Sequence, residues 1–321
     1  MQKIIYLLLI FSGFLFYSCN KTKEENLKVT SESELKQKQN LNSAGVKEGE
    51  QEFTVQYMQP RKIYKIEKED LNNDGSKEII VLSVDKDPEE KYNDYYNFDM
   101  LEVFALNIEK KSYVKILSDT VDYSQTYFFE DLASDKRKQI LIGTNSGGND
   151  AITSKGMFVY DMESMDKINL LKYFDTGAPE VTDIKKNGSK EILVSDLFYG
   201  VMPQMNAIVF VKEIYKLENQ NLVSQNSEFS EFYDTKLKQL LENYYSIKRK
   251  VEIGMQPVDM SFPLYREAAE IIVNYYAKDD MKSLKKFWDE EKESLKKNIP
   301  QDEFLDLSNF ILKALPSAKN A

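Results

Sequence analysis

Asp70-Leu71-Asn72-Asn73-Asp74-Gly75-Ser76-Lys77-Glu78-Ile79-Ile80-Val81 recurs later in the chain as Asp183-Ile184-Lys185-Lys186-Asn187-Gly188-Ser189-Lys190-Glu191-Ile192-Leu193-Val194. A more divergent copy lies between them, Asp131-Leu132-Ala133-Ser134-Asp135-Lys136-Arg137-Lys138-Gln139-Ile140-Leu141-Ile142. In each copy an aspartate opens the stretch, a turn-forming Asp or Asn follows four residues later, and an apolar, β-branched segment begins at the tenth position. Asp-Gly and Asn-Gly are strong turn signals, because glycine accepts positive φ. The reading is strand, tight turn, strand, made three times.

The surroundings of each copy repeat as well. A long polar loop follows the apolar strand, and then a third strand: Leu101 to Leu106, Met157 to Tyr160, and Ala207 to Leu217. Short connections lead to closing strands at Tyr113 to Leu117, Ile168 to Tyr173, and Leu222 to Val223. Each unit therefore reads as four antiparallel strands, the content of one propeller blade. From residue 227 onward the apolar period changes from two to 3.6. Phe229 to Ile247, a segment opened by Pro263, Met281 to Trp288, and Phe304 to Ile311 mark four amphipathic helices. The expected fold is mainly β: three four-stranded, blade-like units forming an open or incomplete propeller, followed by a C-terminal helical bundle.

On the twelve-residue motif, residues 53–226 resemble the FG-GAP or VCBS-type repeats of bacterial surface proteins and integrin propellers. In that family, aspartates at alternating positions of the loop coordinate calcium. The resemblance implies a site in the first copy built from Asp70, Asn72, Asp74, the Ser76 carbonyl and Glu78, an oxygen set suited to a hard cation. Ala133 and Gln139 in the second copy, and Lys185 in the third, break the pattern. The alternative is purely structural: Asp70, Asp131 and Asp183 cap a tight turn by accepting backbone N–H bonds.

The long loops of blade-like units emerge together on one face. The first carries Tyr92, Tyr95, Tyr96 and Phe98 among acidic residues, and the third carries Phe198 and Tyr199. Aromatic side chains on loops are typical partner contacts, which makes these six the candidate binding residues. The competing reading folds them down over the end of the sheets.

The N-terminus reads as an export address. Residues 1–18 hold one positive charge, Lys3, then an apolar run that ends at Ser18, with Cys19 next. This is the layout of a signal peptide, too short for a membrane span of ~20 apolar residues. Phe16-Tyr17-Ser18-Cys19 resembles a bacterial lipobox, which implies acylation of Cys19 and anchoring of the mature chain in a membrane. An ordinary signal peptide, or an N-terminal anchor helix with an incidental cysteine, is the alternative. Residues 19–52 are polar, without aromatic residues, and read as lipid anchor and disordered tether. The domain order is then signal peptide 1–18, tether 19–52, β repeats 53–226 and helical region 227–321.

Composition excludes several chemistries. The 321 residues contain 43 Lys plus Arg against 53 Asp plus Glu, a formal net charge of -10. That balance argues against nucleic-acid binding. With no histidine and one cysteine, the chain has no Ser–His or Cys–His nucleophile pair, no intramolecular disulfide and no cysteine-cluster metal site. Two functions remain. The first is a membrane-anchored exported lipoprotein, a non-enzyme that binds an unknown protein or matrix partner through its repeat loops. The second is an exported hydrolase working with carboxylates alone, calcium-assisted or not. Localisation is the bacterial cell envelope, with the outer membrane or cell surface favoured over the inner membrane.

Overall fold

In the computed structural model of the protein, residues 42–48, 51–57, 61–85, 96–109, 111–148, 150–197, 209–254 and 261–315 are described. The signal segment, Cys19 and most of the tether lie outside them. Strand β1 (Asn42–Glu48) pairs with β2 (Gln51–Tyr57), so strand begins within the stretch expected to be tether. The main body follows as β3 (Arg61–Glu69), β4 (Glu78–Asp85), β5 (Phe98–Asn107), β6 (Ser112–Glu130), β7 (Gln139–Asn145), β8 (Lys155–Ser164) and β9 (Lys167–Phe174). A third stretch holds β10 (Glu180–Thr182), β11 (Glu191–Leu197), β12 (Phe210–Glu218) and β13 (Asn221–Ser224).

The expectation of three separate blades in an open propeller is overturned. β3 to β9 form one seven-stranded antiparallel meander, β10 to β13 a separate four-stranded sheet, and among the described residues no ring closes. The cause is β6, a 19-residue strand. Its first part pairs with β5 and its second part with β7, so two units expected to be separate share one strand. The segment Ser118-Asp-Thr-Val-Asp-Tyr-Ser-Gln125 has no Gly or Pro to end a strand. Instead β6 bends where Tyr123 takes φ 58° and the register shifts on both neighbouring strands. Buried Ser124 holds the bend by donating from Oγ to the Val121 carbonyl at 2.6 Å.

Successive strand residues point to opposite faces, and the sheets are buried on both. Along β4, Ile80 and Leu82 enter one core with Leu101, Ile140 and Tyr160, while Ile79 and Val81 enter another with Tyr57 and Phe104. Along β7, Ile140 and Ile142 share that first core, whereas Leu141 joins Val159, Ile192 and Val194 in the next. On β11, Leu193 turns to the helices. The result is a row of layers: the first half of the meander, its folded-back second half, the four-stranded sheet, then helices.

The helices are α1 (Ala151–Ser154), α2 (Ser230–Glu252), α3 (Ser261–Ala277), α4 (Met281–Asn298) and α5 (Gln301–Ala314). Asp280 caps α4 by accepting from Ser283 N at 3.0 Å. Leu193, Val211 and Ile214 of the sheet pack with Phe229, just before α2, with Tyr233 and Leu237 of α2, and with Leu264, Ala268 and Ile272 of α3. Tyr244 and Lys248 both reach buried Glu291, at 2.9 and 2.6 Å, tying α2 to α4. Among the described residues no helix is long and apolar enough to cross a membrane.

Candidate functional site

The three Asp-headed loops have one hydrogen-bond plan. In the first, Asp70 accepts from Asp74 N at 3.2 Å and from Gly75 N at 3.0 Å. Asp131 accepts from Asp135 N and Lys136 N, and Asp183 from Asn187 N and Gly188 N, within 2.7 to 3.1 Å. The ninth residue closes each loop: Glu78, Gln139 and Glu191 accept from the N–H of Leu71, Leu132 and Ile184, at 2.9, 3.0 and 3.1 Å. Gln139 does this as a neutral amide, so the role needs an oxygen and not a charge. Burial pushes the Glu78 carboxyl up to about 7, against the opposing pull of the Leu71 amide. Asp183 is held below the usual carboxylate range, chiefly by the Gly188 N–H.

This arrangement bears on calcium. Both oxygens of Asp70 face the loop's own amides, Asn72 Nδ2 donates to Asp74 Oδ2 at 2.8 Å, and Glu78 is turned inward with 2% exposure. Ser76 contributes its N–H, which donates to Asp74 Oδ1 at 2.7 Å. Among the described residues no group of three or more acidic or cysteine side chains converges as a metal site would require. As arranged, these five residues cap a turn and do not fit a cation.

Of the six residues singled out for partner contact, Tyr92, Tyr95, Phe198 and Tyr199 lie outside the described residues. Phe98 is fully buried and supports other rings, with Tyr64 stacked at 5.4 Å and Tyr127 edge-on at 6.2 Å. Tyr96 is half-buried and meets Tyr123 edge-on at 6.4 Å. The structure adds tyrosines that the sequence did not single out: Tyr64, Tyr123 and Tyr173 are 44%, 50% and 43% exposed. Tyr173 stacks on Phe158 at 4.0 Å, and its hydroxyl lies in the field of Asp175, Asp122 and Tyr123. Burial, against the opposing pull of a hydrogen bond with Thr144, pushes the Tyr173 phenol up from its ordinary value, making it a weaker acid.

Backbone irregularity presents two of these rings. Tyr64 sits at the register shift between Ile63 and Lys65, and Tyr123 at the positive-φ bend of β6. Bulges commonly re-aim a side chain in this way. The strand-like sequence around both positions hides that signal. Tyr123 and Tyr173 make a face of exposed rings, with Phe158 bracing Tyr173 and exposed Asp122 and Asp175 beside them, and Tyr64 is braced in turn by Phe98. Such a face stacks on apolar surface, accepts and donates hydrogen bonds, and attracts cations. Among the carboxylates that a hydrolase could use, Asp99 of β5 is engaged by Arg61, which also donates from Nε to Ser83 Oγ at 3.1 Å. No family model, curated protein or solved structure matches the chain.

Proposed function

We propose that this protein is an exported, lipid-anchored binding module, tethered through acylated Cys19, that engages a basic protein surface through its tyrosine face. The observation that carries this reading is the set of Tyr64, Tyr123 and Tyr173, each about half exposed yet fixed against the body. Fixed aromatic side chains with few rotatable bonds lose little entropy on binding and are frequent interface anchors. The acidic rim and the net charge of -10 favour a partner rich in lysine and arginine. A cation over an exposed ring contributes ~0.5–1 kcal/mol.

Two experiments test it. Capture of envelope proteins on the immobilised protein, compared with a Tyr64→Ala, Tyr123→Ala, Tyr173→Ala variant, should lose a specific basic partner. The same partner retained in equal yield would remove the tyrosine face from consideration. Separately, labelling with a radioactive fatty acid should mark the parent chain and leave Cys19→Ala unlabelled.

A further inference from the structure

The third Asp-headed loop departs from the other two where Lys185 and Lys186 replace neutral residues, and that departure has a location. Both lysines line a cleft of about 910 Å³ between this loop, β12 and the start of α2. Lys212 and Lys236 also line it, in half-exposed pairs with Glu180 at 3.3 Å and Glu270 at 3.5 Å, so lysines gather here in a chain whose overall balance is strongly acidic. Glu228, also in the lining, is already shared by Lys185 at 3.5 Å and Lys216 at 3.4 Å. Lys186 has no ion-pair partner among the described residues and is exposed.

The rest of the lining is of two kinds. Phe210 and Phe232 supply ring faces, while Thr235, Gln239 and Asn274 supply groups that donate and accept without charge. Asn274 is 96% buried by its 4% exposure; its Nδ2 donates to the Glu270 carbonyl at 2.7 Å. Asn274 thus brings a largely buried, backbone-anchored amide to the wall of the cleft, the kind of fixed polar group that orients a small ligand.

From these features we infer that the cleft between the third sheet and α2 binds an acidic sugar. A sugar ring has apolar faces for the two phenylalanines and hydroxyls for Asn274, Gln239 and Thr235, and its carboxylate or sulfate meets Lys186 and Lys212. The volume lies in the range of small-molecule sites, roughly 300–1,000 Å³. The site is separate from the tyrosine face and does not depend on it.

The test is calorimetric titration of the purified full chain with a hyaluronan tetrasaccharide, a sulfated chondroitin tetrasaccharide and neutral maltotetraose. At least one of the charged probes binds, the neutral one binds about tenfold or more weakly, and added salt weakens the charged interaction. Carboxylated and sulfated probes distinguish the two anion types. The Lys186→Glu, Lys212→Glu variant reduces binding by about tenfold or more with an unchanged melting temperature. Gln239→Trp, on the exposed side of α2, blocks the cleft without altering its charge and lowers binding likewise. Equal binding of neutral and charged probes, undiminished binding by both variants, or no saturation by any probe up to about 10 mM overturns the assignment.

Discussion

Lys138 Nζ lies 2.6 Å from Glu69 Oε1, and one unit further along Lys190 repeats the contact with Glu130 at 2.7 Å. In both places the lysine's own N–H donates to the preceding loop, Lys138 to the Leu71 carbonyl at 2.8 Å and Lys190 to the Leu132 carbonyl at 3.0 Å. The eighth residue of one copy is thus pinned to the second residue of the copy before it. These paired contacts set the spacing of the layers, so the repeats stack by a common rule even though their strands merge into unequal sheets.

The ion pairs themselves are half-exposed, which limits their worth. A double-mutant cycle on Glu69→Ala and Lys138→Ala is expected to give a coupling energy of about 0.2–1 kcal/mol in urea unfolding. Leu132→Ala, at 1% exposure between two layers, is expected to cost ~2–5 kcal/mol. A coupling energy larger than the Leu132 loss would reverse this ranking of charge and burial.

Glu78 makes stability depend on pH. Its folded carboxyl is raised from an ordinary 4.5 to about 7, so between those values the folded state keeps a proton that the unfolded chain has released. Its stabilising contribution is therefore complete below about pH 4.5 and is lost as pH rises through about 7, a swing on the order of 3 kcal/mol. Glu78→Gln, which gives the first loop the residue found at Gln139, should flatten the urea midpoint between pH 5 and pH 8. An undiminished slope in the variant would show that another group carries it.

Position six of the loop takes positive φ in all three copies: 90° at Gly75, 73° at Lys136 and 91° at Gly188. A side chain there is strained. Lys136→Gly is expected to stabilise by about 0.5–1 kcal/mol, and Gly75→Ala to destabilise by about 1 kcal/mol, although a Cβ at Gly75 meets nothing within 4 Å. Opposite shifts in melting temperature would confirm that conformation, not crowding, decides the residue.

Calcium should have little effect. Since Asp70 and Glu78 serve backbone amides, millimolar calcium or EDTA is expected to leave the melting temperature unchanged. A rise of several degrees with calcium, abolished in Asp70→Asn, would show that the loop rearranges around an ion.

The turn itself was legible early, because Asp-x-x-x-Asp-Gly leaves few backbone conformations and the same acceptor geometry closes every copy. Four amphipathic stretches near the C-terminus were also readable from spacing, and Phe229 to Ile247 falls largely within α2. Glu69 and Lys138 carried a visible signal, a Glu before the motif and a Lys at its eighth position, that becomes meaningful only once the loops are stacked. Tyr64 and Tyr123 carried none: each lies in a strand-like stretch, and its exposure comes from a bulge or a bend.

Local chemistry by itself determined the hairpin turns, the alternation of buried side chains and the change to helical period, since these depend on residues a few positions apart. Tertiary structure alone decided that two expected units share β6, that the loops rest on one another, and which tyrosines and lysines face outward. Those outcomes depend on burying both faces of each sheet against distant layers, and no short window of sequence contains that free energy.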